Sequence, residues 1–503
     1  MRTNTTKLKT ATNRCNNYRS AFIVITILFF MWGFITCMND ILVPFLRKVF
    51  TLTYFQVMLV QFTFFGAYFI GSLIYFIASI KKGDPIDKIG YKNSIITGLL
   101  VSAVGCLLFY PAASAHIYGL FLFALFVLGL GFTILQIAAN PFVAILGKPE
   151  TASSRLNLSQ AFNSLGTTIA PVAGGYFVFH YFATRGAPLL NAFGKPVLTD
   201  SGTVISAGGI QVPYLLFAGI FFILSIVMRI APLPDLENTE PARKNAGALK
   251  YRHLRLGMLA VFTYVGAEVC IGSFLINYMH ELVGFPEILA KSYLAFYWGG
   301  LMIGRFMGSI MFNNAAASIR KWLYMISAAM FTFGIIFFMV WVESGFTFSF
   351  INVIPFLLFI FLNIGAFYIG KASPNKTLSV FALFCIVFLA AALLTIGMVS
   401  VWALIGIGLF NSIMWSNIFA LAINGLGKYM GQGSSLLIMA ILGAAFIPLL
   451  QGSIADSIGL HLSFVVPVFC YAYLVYYGMK GYRPKPVTER LAIPVKIETK
   501  MHS

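Results

Sequence analysis

Charge is what this chain of 503 residues has least of. Asp, Glu, Lys and Arg together make up 10% of it and hydrophobic residues 59%, whereas soluble proteins are about one quarter charged. That shortage excludes an ordinary water-soluble fold. Acids are scarcer than bases, 15 against 34, and there are only six His and six Cys. The cysteines (Cys15, Cys37, Cys106, Cys270, Cys385 and Cys470) show no close pairing, so neither a disulfide framework nor a metal cluster is expected. Five of them lie in apolar runs, where a thiol packs as a small apolar group. No nucleotide-binding loop and no Gly-x-Ser-x-Gly elbow occurs. His180, His280 and His461 fall near the ends of apolar runs, so no His, Ser or carboxylate set converges at one depth. The expectation is a protein that is not an enzyme and that needs neither cofactor nor metal.

What the chain has is long apolar runs. Stretches of about 20 apolar residues recur from end to end, the pattern of a polytopic all-α membrane protein. We place spans near 20–46, 55–80, 91–111, 117–146, 155–180 and 212–231. Eight more follow, near 256–280, 290–312, 321–342, 348–370, 377–396, 398–424, 434–454 and 461–479, which makes fourteen. The first follows a basic leader but lacks a small-residue cleavage site, so it is expected to be retained as a helix. With residues 1–19 placed in the cytoplasm, twenty-eight Lys and Arg fall on the inner side and five on the outer. The positive-inside rule then puts both tails, 1–19 and 480–503, in the cytoplasm. The net charge of +19 is therefore a topology signal and requires no nucleic acid partner.

Two internal repeats organise these spans. Gly33, Gly66 and Gly71 recur as Gly266, Gly299 and Gly304, displaced by 233 residues. Gly166-x4-Pro171-x3-Gly175 recurs as Gly443-x4-Pro448-x3-Gly452, displaced by 277. The 44 extra residues between the anchors are about one helix pair, best placed at 319–371. The expected architecture is a six-helix half at 20–231, a cytoplasmic linker at 232–255 and a second half at 256–479 that carries the inserted pair. Parallel six-helix halves are a secondary-transporter design, with the site near the midplane between them. The loop Gly83-Asp84-Pro85-Ile86-Asp87-Lys88-Ile89-Gly90-Tyr91-Lys92 suits gating and packing. In it Asp87 can cap or pair with a helix end, and Gly90 allows a tight turn.

Three charged residues lie well inside spans: Asp40, Glu268 and Arg305. A charge at the bilayer centre costs roughly 2.5–3.5 kcal/mol on insertion scales, so each demands a reason. Carboxyls in low dielectric can exchange a proton near neutral pH, which makes Asp40 a candidate for cation coupling. The bland alternative is a structural acid tied to Arg305 or to a helix end. Glu268 is equally compatible with a salt bridge to Arg305 and with a role in coupling or sugar binding. Arg305 itself suits structure or gating. Amides cluster as Gln136 with Asn140 and Gln160 with Asn163, and Asn39, Gln61, Asn277, Asn411 and Asn417 add more. With Trp32, Tyr68, Trp298 and Trp415 nearby, they suit a neutral polyol such as a sugar. Any single amide could equally hold two helices together.

Several longer strings are familiar. Trp32-Gly33-Phe34, Met38-Asn39-Asp40-Ile41-Leu42 and Ala138-Ala139-Asn140-Pro141-Phe142 resemble the fucose permease branch of the major facilitator superfamily. Arg155-Leu156-Asn157-Leu158-x-Gln160-x-Phe162-Asn163-Ser164 and Gly304-Arg305-Phe306 resemble it too, as does the 83–92 loop the superfamily's signature. Gly266-Ala267-Glu268, Gly272-Ser273-Phe274-Leu275 and Gly433-Ser434-Ser435-Leu436 are more similar to bacterial glucose/galactose transporters within that branch. The resemblance implies a monomeric importer of a neutral hexose in the bacterial inner membrane, coupled to a cation, normally the proton. It marks Asp40 as the coupling acid. Fucose permeases carry a second acid on the fourth helix where this chain has Gln136, as glucose/galactose members do. That leaves Glu268 as a stand-in and keeps sodium coupling and passive transport open. A non-transporting sugar sensor is a further rival. The repeat places Ser273 opposite Asp40, so the acid belongs to one half only.

Overall fold

The computed structural model describes residues 21–38, 50, 54–176, 188, 196, 208–231, 244–313 and 318–484. Fourteen helices follow one another: α1 (Ala21–Met38), α2 (Tyr54–Lys82), α3 (Pro85–Ala115), α4 (Tyr118–Ile145), α5 (Ala152–Tyr176) and α6 (Gly208–Ile230). Then come α7 (Arg252–Val283), α8 (Glu287–Met311), α9 (Ser318–Glu343), α10 (Ile354–Gly370) and α11 (Pro374–Leu394). The last three are α12 (Met398–Ile423, broken after Asn411), α13 (Gly427–Ile458) and α14 (Leu460–Gly481). Twelve are long and apolar enough to cross a membrane. The two remaining are α5 and α8, each of 25 residues, and they pack on each other. Their mutual contact covers polar side chains of both, Ser164 and Arg305 among them.

The glycines of the two repeats mark where helix backbones meet. A Cβ at Gly33 would collide with the Asn163 carbonyl of α5, and one at Gly166 with the Phe30 carbonyl of α1. Likewise a Cβ at Gly266 would strike Ile447 of α13, and one at Gly443 the Phe262 carbonyl of α7. Gly71 lies against Thr133 of α4, and Gly304 against Ser412 of α12. In lipid no hydrophobic force drives helices together, so close approach at small residues supplies the packing. One pair breaks the parallel: Gly66 meets nothing within 4 Å, while Gly299 faces Ile336 of α9. The larger packing follows the same scheme. α3 packs on α4 and α6, and α11 packs on α12 and α14.

Contacts between α1–α6 and α7–α14 gather at the end of the bundle that carries the basic loops. Ser154 Oγ donates to the Ser309 carbonyl (2.5 Å), Ser434 Oγ to the Ile137 carbonyl (2.9 Å), and Asn157 Nδ2 to Asn417 Oδ1 (3.4 Å). The 83–92 loop joins this closure. Asp84 caps α3 by accepting from the Ile86 N–H (3.0 Å), with Pro85 at the first helical position. Asp84 is thus the N-cap of α3, with Asp87 in its first turn. Gly90 has φ 78° and ψ 161°, a conformation essentially confined to glycine, and it kinks α3 there. Asp84 accepts a hydrogen bond from the Tyr75 hydroxyl and reaches the first turn of α13, where a Cβ at Gly431 would collide with it. Burial pushes the Asp84 carboxyl up to about 6, with the Asp87 charge adding to the rise. Hydrogen bonds from Tyr75 and from the Ile86 and Gln432 backbones act in the opposite sense.

Two predictions follow from this packing. Gly443→Leu should force α7 and α13 apart and cost about 1–3 kcal/mol, whereas Gly66→Ala should fall within about 0.5 kcal/mol of the parent. Thermal unfolding in detergent separates the two. Opening the basic end would return Asp84 to water and to an ordinary value of about 3.9. The closed form then holds the proton more tightly, so closure is favoured as pH falls through about 6. The gain is complete below about pH 4 and amounts to roughly 3 kcal/mol at most. Hydrogen exchange in residues 427–436, corrected for its intrinsic pH dependence, should slow between pH 7.5 and 5. Asp84→Asn should remove the Asp84 contribution to that change.

Candidate functional site

The centre of the molecule is the seam between α5 and α8. On α5 the amides and hydroxyls Asn157, Gln160, Asn163, Ser164 and Thr168 recur at three- and four-residue steps and therefore share a face. Arg305 of α8 is buried against that face. Its guanidinium donates to Ser164 Oγ, to the Gln160 carbonyl (3.4 Å) and, from α8 to α12, to the Ser412 carbonyl (3.2 Å). All three acceptors are neutral oxygens. The nearby charge is Glu268 of α7, whose carboxylate accepts a hydrogen bond from Tyr264, one helical turn earlier. The Tyr264 hydroxyl interacts with both Glu268 and Arg305, so it stands between the acid and the base. Glu268 and Arg305 act on each other electrostatically, with Tyr264 in contact with both.

Behind the carboxylate lies a second polar cluster. Tyr297 donates to the Glu268 carbonyl (2.8 Å) and accepts from Asn411 Nδ2 (3.1 Å), while Tyr471 donates to Asn411 Oδ1 (2.7 Å). Cys385 Sγ lies 4.0 Å from the same oxygen. Asn411 is thus engaged on both sides of its amide, and Asn417 bonds the Pro374 carbonyl (3.2 Å) as well as Asn157. Trp298 is 39% exposed, with its ring lying over Gly272 and set edge-on to Tyr297 at 5.1 Å. Asn277 and Ser273 of α7 are exposed.

Across the seam, Tyr68 interacts with Gln136 and Trp32. Asn140 Nδ2 bonds the Gln136 carbonyl (3.0 Å), and Asn163 Nδ2 bonds the Phe29 carbonyl (3.0 Å). Gln136, Asn140 and Gln160 are all buried. Asn140 Oδ1, Asn157 Oδ1 and Trp415 Nε1 are among the buried polar atoms without a hydrogen-bond partner. Asn39 and Asp40 lie outside the described residues, as does the side chain of Gln61. The structure therefore brings Gln160, Asn163, Arg305 and Glu268 into one region and joins Gln136 with Asn140. Tyr264, Ser164 and Asp84 were missed in the sequence. The four-residue step from Tyr264 to Glu268 was the available signal for the first.

The model of the Major Facilitator Superfamily matches residues 21–441. The chain is 43% identical over 479 residues to the glucose/galactose transporter of Brucella abortus, covering 94% of this chain and 97% of that one. It is 30% identical over 468 residues to the L-fucose-proton symporter of Escherichia coli, covering 91% and 92%. Its fold is similar to the crystal structure of the transporter FucP in the outward conformation, with a TM-score of 0.68 and 28% identity over 92% of this chain and 99% of that one. The helical architecture, the polar seam and these likenesses agree: the chain belongs to the major facilitator superfamily, in the branch of the fucose permeases, as a multi-pass membrane transporter and not an enzyme.

Proposed function

We propose that this transporter imports a neutral hexose, glucose or galactose, by symport with a cation, the proton in the first instance. The observation that carries the sugar reading is the full-length likeness to the Brucella abortus glucose/galactose transporter. The buried amides around the seam support it, because they offer both donors and acceptors without net charge. Asp40 takes the coupling role, with Glu268 as the second acid. Asn39, Gln61, Gln136, Asn140, Gln160, Asn163, Asn277, Trp298 and Asn411 serve the sugar, Asn411 by holding Tyr297 in place. Asp87, Gly90 and Arg305 belong to closure.

In this reading two halves, 20–231 and 256–479, rock about the seam and are joined by the linker 232–255. The protein works as a monomer in the inner membrane of a bacterium, with both tails cytoplasmic. The closed basic end then corresponds to the outward-facing state. α9 and α10 are an inserted pair. Gly299 facing α9 where Gly66 faces nothing supports this, as does α11 taking the packing place of α3.

The test is uptake into proteoliposomes under an imposed inward proton gradient, with parallel sodium-gradient and gradient-free arms. Glucose or galactose should accumulate above the outside concentration only with the proton gradient. Asp40→Asn should equilibrate sugar without accumulating it. Accumulation and proton co-movement that survive this substitution would remove Asp40 from coupling. Accumulation driven by sodium alone would replace the cation.

A further inference from the structure

Arg305 stands in an unusual position. It belongs to α8, it is 8% exposed, and two of its three hydrogen bonds cross to α5 of the other set of helices. None of those bonds goes to a carboxylate, yet the charge of Glu268 acts on it. The Tyr264 hydroxyl bonds Glu268 and faces the guanidinium, so a change at the carboxyl reaches Arg305 through one side chain. Among the described residues, the other ionisable groups facing Glu268 are Tyr297 of α8 and Tyr471 of α14, with Cys385 of α11 behind them. None of these is a second cation or a second carboxylate. Among the described residues, Arg305 is the charged partner of Glu268.

We infer that Tyr264 and Arg305 form a latch that transmits the charge of Glu268 to the contact between α5 and α8. With Glu268 neutral, the guanidinium has no anion on α7 and stays on Ser164 and the Gln160 carbonyl, which holds the two sets of helices together. With Glu268 ionised, the carboxylate draws the guanidinium toward α7 through Tyr264, and the α5 bonds weaken. The same Arg305 holds the backbone of Gln160, the amide assigned to sugar, so loss of a proton and loosening of the sugar face are one event. Tyr264 and Arg305 are positioning residues in this scheme. The inference rests on the reading of Glu268 as a coupling acid and adds the route by which its state is felt across the seam.

The latch can be tested by a double-mutant cycle at one fixed pH, which keeps the titration of Asp84 out of the comparison. Ser154 and Ser309 already touch across the seam, so oxidative cross-linking of S154C to S309C, located by mass spectrometry, reports its closure. Glu268→Gln should speed this cross-link by about threefold or more, and the same substitution should have little effect once Arg305→Met or Tyr264→Phe is present. Tyr264→Phe removes one hydroxyl and carries the test if the Arg305 variant does not fold. An equal effect of Glu268→Gln in all backgrounds, no effect, or a slower cross-link overturns the latch. Proton movement with sugar, measured on the unsubstituted transporter, tests the underlying reading separately. Co-movement with an unchanged cycle rejects the latch alone, whereas its absence rejects the coupling role on which the latch depends.

Discussion

The rest of the structure depends on one constraint: polar groups cannot face hydrocarbon, so the polar helices must face each other. α5 carries too many amides and hydroxyls to lie against lipid. It is covered by α8, and the two form the main contact between α1–α6 and α7–α14. In the proposed cycle the seam is where the two sets of helices must part. It is held by hydrogen bonds together with ring packing such as Phe162 on Phe306, and its polar contacts can be exchanged at modest cost. A transporter needs that property, since its halves must part at one end while they meet at the other.

Charge is then placed where the seam can use it. Arg305 crosses from α8 to α5, Glu268 influences it from α7, and Asp84 reaches the start of α13 from the loop between α2 and α3. Arg305 and Asp84 each join the two sets of helices, and Glu268 acts on the first of these contacts from within α7–α14. Few charges serve many contacts.

Much of this was legible in the sequence, for definite physical reasons. The helix positions could be read because lipid imposes long apolar runs, and the repeat could be read because close helix approach requires glycine at fixed places. Gly33 with Gly266 and Gly166 with Gly443 sit at matching backbone contacts. The amides of α5 were visible from their spacing. The partners were not. Spacing along a helix cannot say that Arg305 would choose Ser164 and Gln160 over Glu268, because those residues meet only after two distant helices pack. It did not single out Asp84 as the residue that caps α3. Asn411, exposed to choice in the sequence, proves to be occupied by Tyr297 and Tyr471.

The most direct test of the whole account is a simultaneous record of sugar and proton movement. Glucose or galactose added outside lightly buffered proteoliposomes, without any imposed gradient, should acidify the lumen as it enters. The acidification should stop when sugar reaches balance and should be absent with a sugar that is not carried. Entry of hexose with no change in lumenal pH, at every pH tried, would contradict the account.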